Sequence, residues 1–139
     1  MSASLEPVFL RLRSILEEHR ADLSVSHDTA KRFGLEAPVG PATIKAWGGK
    51  AKAPTMPVAW VELKKSYVSY HLMGIYMNPK LEGKLTAPLR SHMQGKSCFN
   101  FKTADEALFQ ELSDVTAESL VTLRKAGFIA SRPSGGRSI

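Results

Sequence analysis

This sequence has little of what would tie it to an oxidising compartment or to a membrane. Its 139 residues contain one cysteine, Cys98, so neither an internal disulfide nor a multi-cysteine zinc site can form. No uncharged apolar run approaches the roughly 18 residues of a membrane helix. The opening Met1-Ser2-Ala3-Ser4-Leu5-Glu6 has no basic segment leading into an apolar stretch, as a secretory signal would. These absences predict a soluble, cytoplasmic chain with no membrane partner. The length suits one domain, large enough for a single core to hold without staples. The expected domain spans residues 1–130, and the Pro/Gly/Ser-rich tail 131–139 is expected to be disordered.

Acidic charge is scarce in one place. Residues 43–102 carry ten basic side chains against only Glu62 and Glu82, while the two flanks are slightly acidic; the whole chain is +6. A basic middle can attract phosphate, nucleic acid or an acidic partner. It can equally be a set of solvated lysines that discourage pairing at sheet edges. The bases are spread out and mostly Lys, which favours the second reading. Nucleic acid is therefore the less favoured partner.

Periodicity gives an outline. Leu5, Val8, Phe9, Leu12, Ile15 and Leu16 recur at spacings of three and four and predict a helix over 5–19, with Ser4 as its cap and Pro7 in its first turn. Alternation over 23–26 and 32–36, with turn residues between, predicts a hairpin. Residues 37–57 are dense in Pro and Gly and predict an irregular connection holding a short extended piece at 43–47. Strand formers over 58–63 and 67–76 predict a second hairpin. A short helix over 86–92 and a strand over 97–101 follow. Thr103-Ala104-Asp105-Glu106 reads as a capping box opening a helix, with a second helical start near Thr116 and a stop at Gly127. The natural solution is an α+β fold, a mostly antiparallel five-stranded sheet with the N- and C-terminal helices on one face.

Tyr67-Val68-Ser69-Tyr70-His71-Leu72-Met73, Asn78-Pro79, and Met93 through Phe101 with its Gln94-Gly95-Lys96-Ser97-Cys98 core resemble the bacterial YdhG-like family of domains. Leu108-Phe109-Gln110-Glu111-Leu112 fits the helix that follows this motif. The resemblance implies a small α+β fold akin to frataxin. Because some members are labelled iron chaperones, it also implies iron as a cofactor. Helix carboxylates would hold the metal, Glu17, Glu18 and Asp22 in this chain.

The residues themselves offer several chemistries. Gly95-Lys96-Ser97 suggests a phosphate loop, but Arg90 stands where the first glycine is needed and a strand follows instead of a helix, so a Walker-type nucleotidase is excluded. Cys98 and His71 both fall on predicted strands and can form a nucleophile–base pair if the strands are adjacent, although no third orienting group stands out. His19, His27, His71 and His92 show no metal-ligand spacing. Trp47-Gly48-Gly49-Lys50-Ala51-Lys52 joins an aromatic, flexible glycines and two cations in one loop, as a single-strand nucleic-acid binder would need. The favoured expectation is a non-enzymatic ligand-binding or interaction domain. Its pocket would lie near Tyr70, His71, Lys96, Cys98 and Asn100, with the Trp47 loop as a lid. A frataxin-like iron chaperone is the alternative, and phosphate or nucleic-acid binding through the basic middle is a second one. The partner is an unknown small molecule or protein, and open sheet edges leave a homodimer available.

Overall fold

A computed structural model of the protein describes residues 5–20, 23–76, 78–95 and 98–129. The first helix, α1 (Glu6–Glu18), forms where the apolar stripe lies, and its Val8, Phe9, Leu12, Ile15 and Leu16 are buried. Its expected cap, Ser4, and the tail 131–139 lie outside the described residues. A hairpin follows, β1 (Ser24–Asp28) and β2 (Arg32–Pro38). Thr29 closes its turn by accepting hydrogen bonds from the Lys31 and Arg32 amides. The next strands are β3 (Thr55–Leu63) and β4 (Val68–Leu72), and the last are β5 (Met93–Gln94) and β6 (Cys98–Phe101). All pairings are antiparallel, in the order β1-β2-β3-β4-β6-β5.

The protein is thus α+β with six strands in its sheet, one more than the periodicity suggests. The addition is β5, two residues that pair Met93 with Phe99 and Gln94 with Cys98. Gly95 follows them at φ +79°, a left-handed conformation that glycine adopts without a Cβ penalty. Two residues cannot display a strand period, so nothing local announces this element.

Three further elements differ from expectation, each for a reason outside its own segment. Residues 43–47 do not extend; they belong to α2 (Pro41–Ala46), which starts with Pro41 in its first turn. Thr43 in this helix is buried and donates to the Met56 sulfur. The strand expected to run to residue 76 stops at Leu72 and turns into α3 (Met73–Tyr76). There Gly74 packs so closely on the last helix, α6 (Glu106–Lys125), that a Cβ would run into the Ser119 carbonyl oxygen. Finally, α6 is one continuous helix through Thr116, which is buried against Tyr70 of β4 and whose hydroxyl donates back to the Leu112 carbonyl.

The cap of α6 is also displaced. Asp105, not Thr103, accepts the hydrogen bond from the Leu108 amide, and the Glu106 carboxylate instead reaches across to α1, where its two oxygens share the Arg11 Nε–H. The helix ends as expected at Gly127, φ +87°. The Phe128 amide bonds to the Leu123 carbonyl and the Gly127 amide to that of Arg124, the Schellman pattern. Between α3 and β5 lie α4 (Pro79–Gly83) and α5 (Ala87–Arg90), the latter capped by Thr86 within the expected 86–92 segment.

Alternation divides the sheet into two faces. Phe33, Leu35, Ala59, Val61, Val68, Tyr70, Leu72, Phe99 and Phe101 point to one side and join the helix residues in one buried cluster. Phe109 of α6 meets Phe101 edge-on at 5.1 Å, and Thr116 reaches Tyr70. Helices therefore cover this face. Strand residues of opposite parity, from Arg32 to Asn100, form the other face, on which no helix packs among the described residues.

Candidate functional site on the helix-free face

The register assembles the site. One cross-strand row runs Gly34, Trp60, His71, Cys98, Gln94; the next runs Arg32, Glu62, Ser69, Asn100. Cys98 and His71, 27 residues apart in sequence, are direct neighbours here. Strand period places every member on the uncovered side, because each alternates with a buried residue such as Val61, Tyr70 or Phe99.

His71 is the hub. Its ring lies flat on Trp60, centroids 4.6 Å apart and planes inclined by 11°. Its Nε2 lies 3.2 Å from the Ser69 hydroxyl and 3.7 Å from the Cys98 sulfur. The Cys98 thiol in turn donates to Asn100 Oδ1 at 3.5 Å. Glu62 sits beside this group and is shared by Lys64 at 3.5 Å and Arg32 at 4.0 Å.

Electrostatics keep this pair neutral. Partial burial lowers the His71 pKa; Glu62 opposes the shift, while Lys64 and Arg32 reinforce it. Burial raises the Cys98 thiol, with Glu62 adding to the rise and Lys64 opposing it. An activated cysteine needs the reverse, a thiolate stabilised by a cation. No carboxylate orients the second nitrogen of His71 among the described residues. The cluster therefore offers a neutral imidazole, a thiol, a hydroxyl, an amide and an indole face, which suit recognition better than nucleophilic attack.

Next to it the face dips into a cavity of about 270 Å³ lined by Tyr67, His92, Asn100, Lys102 and Thr103. His92 Nδ1 lies 2.8 Å from the Asn100 carbonyl. A carbonyl can only accept, so Nδ1 carries the proton and Nε2 is left as the unengaged nitrogen. Phe101 fixes the ring from behind by stacking at 4.6 Å. Asn100 contributes to both the cavity and the His71 cluster.

The expected site residues divide accordingly. His71, Cys98 and Asn100 come together. Tyr70 does not join them: it is fully buried on the opposite face, and its hydroxyl lies 2.6 Å from Thr116. Strand alternation requires this once His71 faces outward. Trp47 is not a lid over the cluster either. It caps the C-terminal end of α2 and is half-buried against the hydrophobic core, and Ala42 of the same helix approaches Gly127 at the end of α6. Lys96 and Asp22 lie outside the described residues. Glu17 is paired with Arg13 at 3.5 Å, and Glu18 is exposed at the end of α1. Among the described residues no three His, Cys, Asp or Glu side chains gather where they would hold a metal ion, and no helix is long and apolar enough to cross a membrane.

Trp60, Glu62 and Ser69 of the cluster, and Tyr67, His92, Lys102 and Thr103 of the cavity, were not among the expected site residues. Trp60 and Glu62 were legible in the period-two pattern of residues 58–63, where they alternate with Ala59, Val61 and Leu63. His92 and Lys102 carried no such signal, because a loop end and a strand end bring them to the cavity.

Fold and site together define an α+β protein with a six-stranded antiparallel sheet, helices on one face and a polar–aromatic cluster on the other. Compared with family models, curated proteins and solved structures, the chain matches none of them.

Proposed function

We propose that this protein is a non-catalytic binding domain for a small organic molecule, which it takes up on the helix-free face of the sheet. Its support is the convergence of Trp60, Ser69, His71, Cys98 and Asn100 from three strands beside a cavity that Asn100 also lines. Pockets that combine aromatic surface with a few convergent polar groups are the usual sites of small-molecule recognition. The neutral thiol and imidazole argue for recognition over turnover. The frataxin-like designation of the fold and the iron-chaperone role rest on the YdhG-like motif alone. Iron prefers several carboxylate or imidazole ligands held together, and no such group gathers among the described residues. The basic segment supports a nucleic-acid role less well, since its charges fall on separate connections and two are neutralised, Lys64 by Glu62 and Lys84 by Glu118.

The test is a metabolite screen against the isotope-labelled protein, read by amide shifts. Ligands of this site should shift Ser69, His71, Cys98 and Asn100 saturably. His71→Ala should abolish those shifts while leaving the circular-dichroism spectrum intact. Hits that move only α1 and α6, or that bind His71→Ala as well as the parent, would refute the reading.

A further inference from the structure

The cavity at Asn100 has a chemical bias that narrows the ligand. Its polar groups are the Lys102 ammonium and the Asn100 amide nitrogen, which donate, the Tyr67 and Thr103 hydroxyls, which donate or accept, and the His92 Nε2 acceptor. Lys102 and Thr103 are exposed, and among the described residues the Lys102 ammonium, the Asn100 amide nitrogen and the two hydroxyls have no protein partner. No Asp or Glu is among the described lining residues. A cavity with one cation and no acid among its described lining residues favours an acceptor of single negative charge. A carboxylate, with two acceptor oxygens and no donor, meets that requirement. A phosphate dianion would face one lysine among the described lining residues.

Size and walls narrow it further. At about 270 Å³ the cavity falls just under the roughly 300–1,000 Å³ of sites for drug-sized ligands, leaving room for one ring and a short substituent. Two of its described lining residues, Tyr67 and His92, are aromatic. His92 is held in place by its bond to the Asn100 carbonyl and by Phe101 behind it, so that wall is formed before a ligand arrives. Preformed walls lower the entropic cost of binding.

We propose that the cavity bounded by Tyr67, His92, Asn100, Lys102 and Thr103 binds a small aromatic monocarboxylate. Lys102 and the Asn100 amide take the carboxylate, and Tyr67 and His92 wall the ring. This rests on the reading of the helix-free face as a ligand-binding surface and names the ligand class for it.

The test titrates the full-length labelled protein with benzoate, benzyl alcohol and acetate, following amide shifts. Benzoate should bind saturably with shifts centred on Tyr67, Asn100, Lys102 and Thr103, about tenfold or more tighter than either comparison compound. Lys102→Gln should weaken benzoate about tenfold, the loss expected for a charge-assisted hydrogen bond, with benzyl alcohol binding and the circular-dichroism spectrum unchanged. Equal affinities for benzoate and benzyl alcohol, or unchanged benzoate affinity in Lys102→Gln, would overturn the assignment. So would the absence of benzoate-induced shifts up to about 10 mM, weaker than any useful small-ligand affinity. If benzoate is silent while another compound moves Ser69, His71 and Cys98, the carboxylate assignment fails and the binding surface stands. If ligands engage only the helix-covered side, both fail.

Discussion

Replacing Tyr70 with phenylalanine tests how its hydroxyl is satisfied inside the core. Thr116 has one hydroxyl proton, and it is given to the Leu112 carbonyl at 2.8 Å. The 2.6 Å contact between the Tyr70 and Thr116 oxygens must then be donated by the phenol. Tyr70→Phe deletes that donor and leaves behind only an unmet lone pair on Thr116. The expected loss is about 1 kcal/mol, the net value of one buried neutral hydrogen bond, or about 4 °C in melting temperature for a chain of this length. Thr116→Val is different, because it strands the phenol as a buried donor without an acceptor, at a cost of about 1–3 kcal/mol. The Leu112 carbonyl keeps its helical partner, so little else changes there. The double variant should cost less than the two single changes added together, since it removes the stranded group. Urea denaturation with unchanged slope provides the three free energies. If Tyr70→Phe is as costly as Thr116→Val, the assigned donor direction is wrong; if the two effects add, the hydroxyls do not interact at all. Ligand-induced shifts at His71 should survive Tyr70→Phe, because the two side chains lie on opposite faces.

Other expectations follow from the same geometry. His71 has a pKa below its usual 6.5 in the folded state, so the unfolded chain binds its proton more readily. Its contribution to stability is complete above about pH 6.5 and is lost as pH falls from there to the folded value. The difference in urea stability between the parent and His71→Gln should shrink across that window, and a flat difference would show that burial does not disfavour the charged ring. Gly74→Ala drives a Cβ against the Ser119 backbone, which no side-chain rotation relieves. It should cost at least about 2 kcal/mol, and Ser119→Ala should not rescue it; neutral thermal melts would contradict the close approach of α3 to α6. Asp105→Ala removes the cap on the Leu108 amide and should cost about 1 kcal/mol, whereas Thr103→Ala should change stability by less than about 0.5 kcal/mol. The reverse ranking would restore the capping box.

The local elements that the sequence determined are those whose signal repeats within a few residues. The α1 stripe from Leu5 to Leu16, the turn at Thr29, the hairpin strands and the stop at Gly127 each follow from periodicity or from a conformation that few residues adopt. The partition of Tyr70 from His71 was equally legible, since adjacent strand residues must face opposite ways. What the sequence could not decide was which of those faces the helices would cover, and which strand would lie beside which. Placing Cys98 against His71 depends on β6 pairing with β4, a contact between segments 27 residues apart. The change from strand to helix at Met73, the continuity of α6 through Thr116 and the position of α2 depend in the same way on packing with distant partners. Such contacts form only when the chain closes on itself, so the site they create belongs to the tertiary structure: local pattern fixes the direction of each side chain, and non-local pairing decides what it meets.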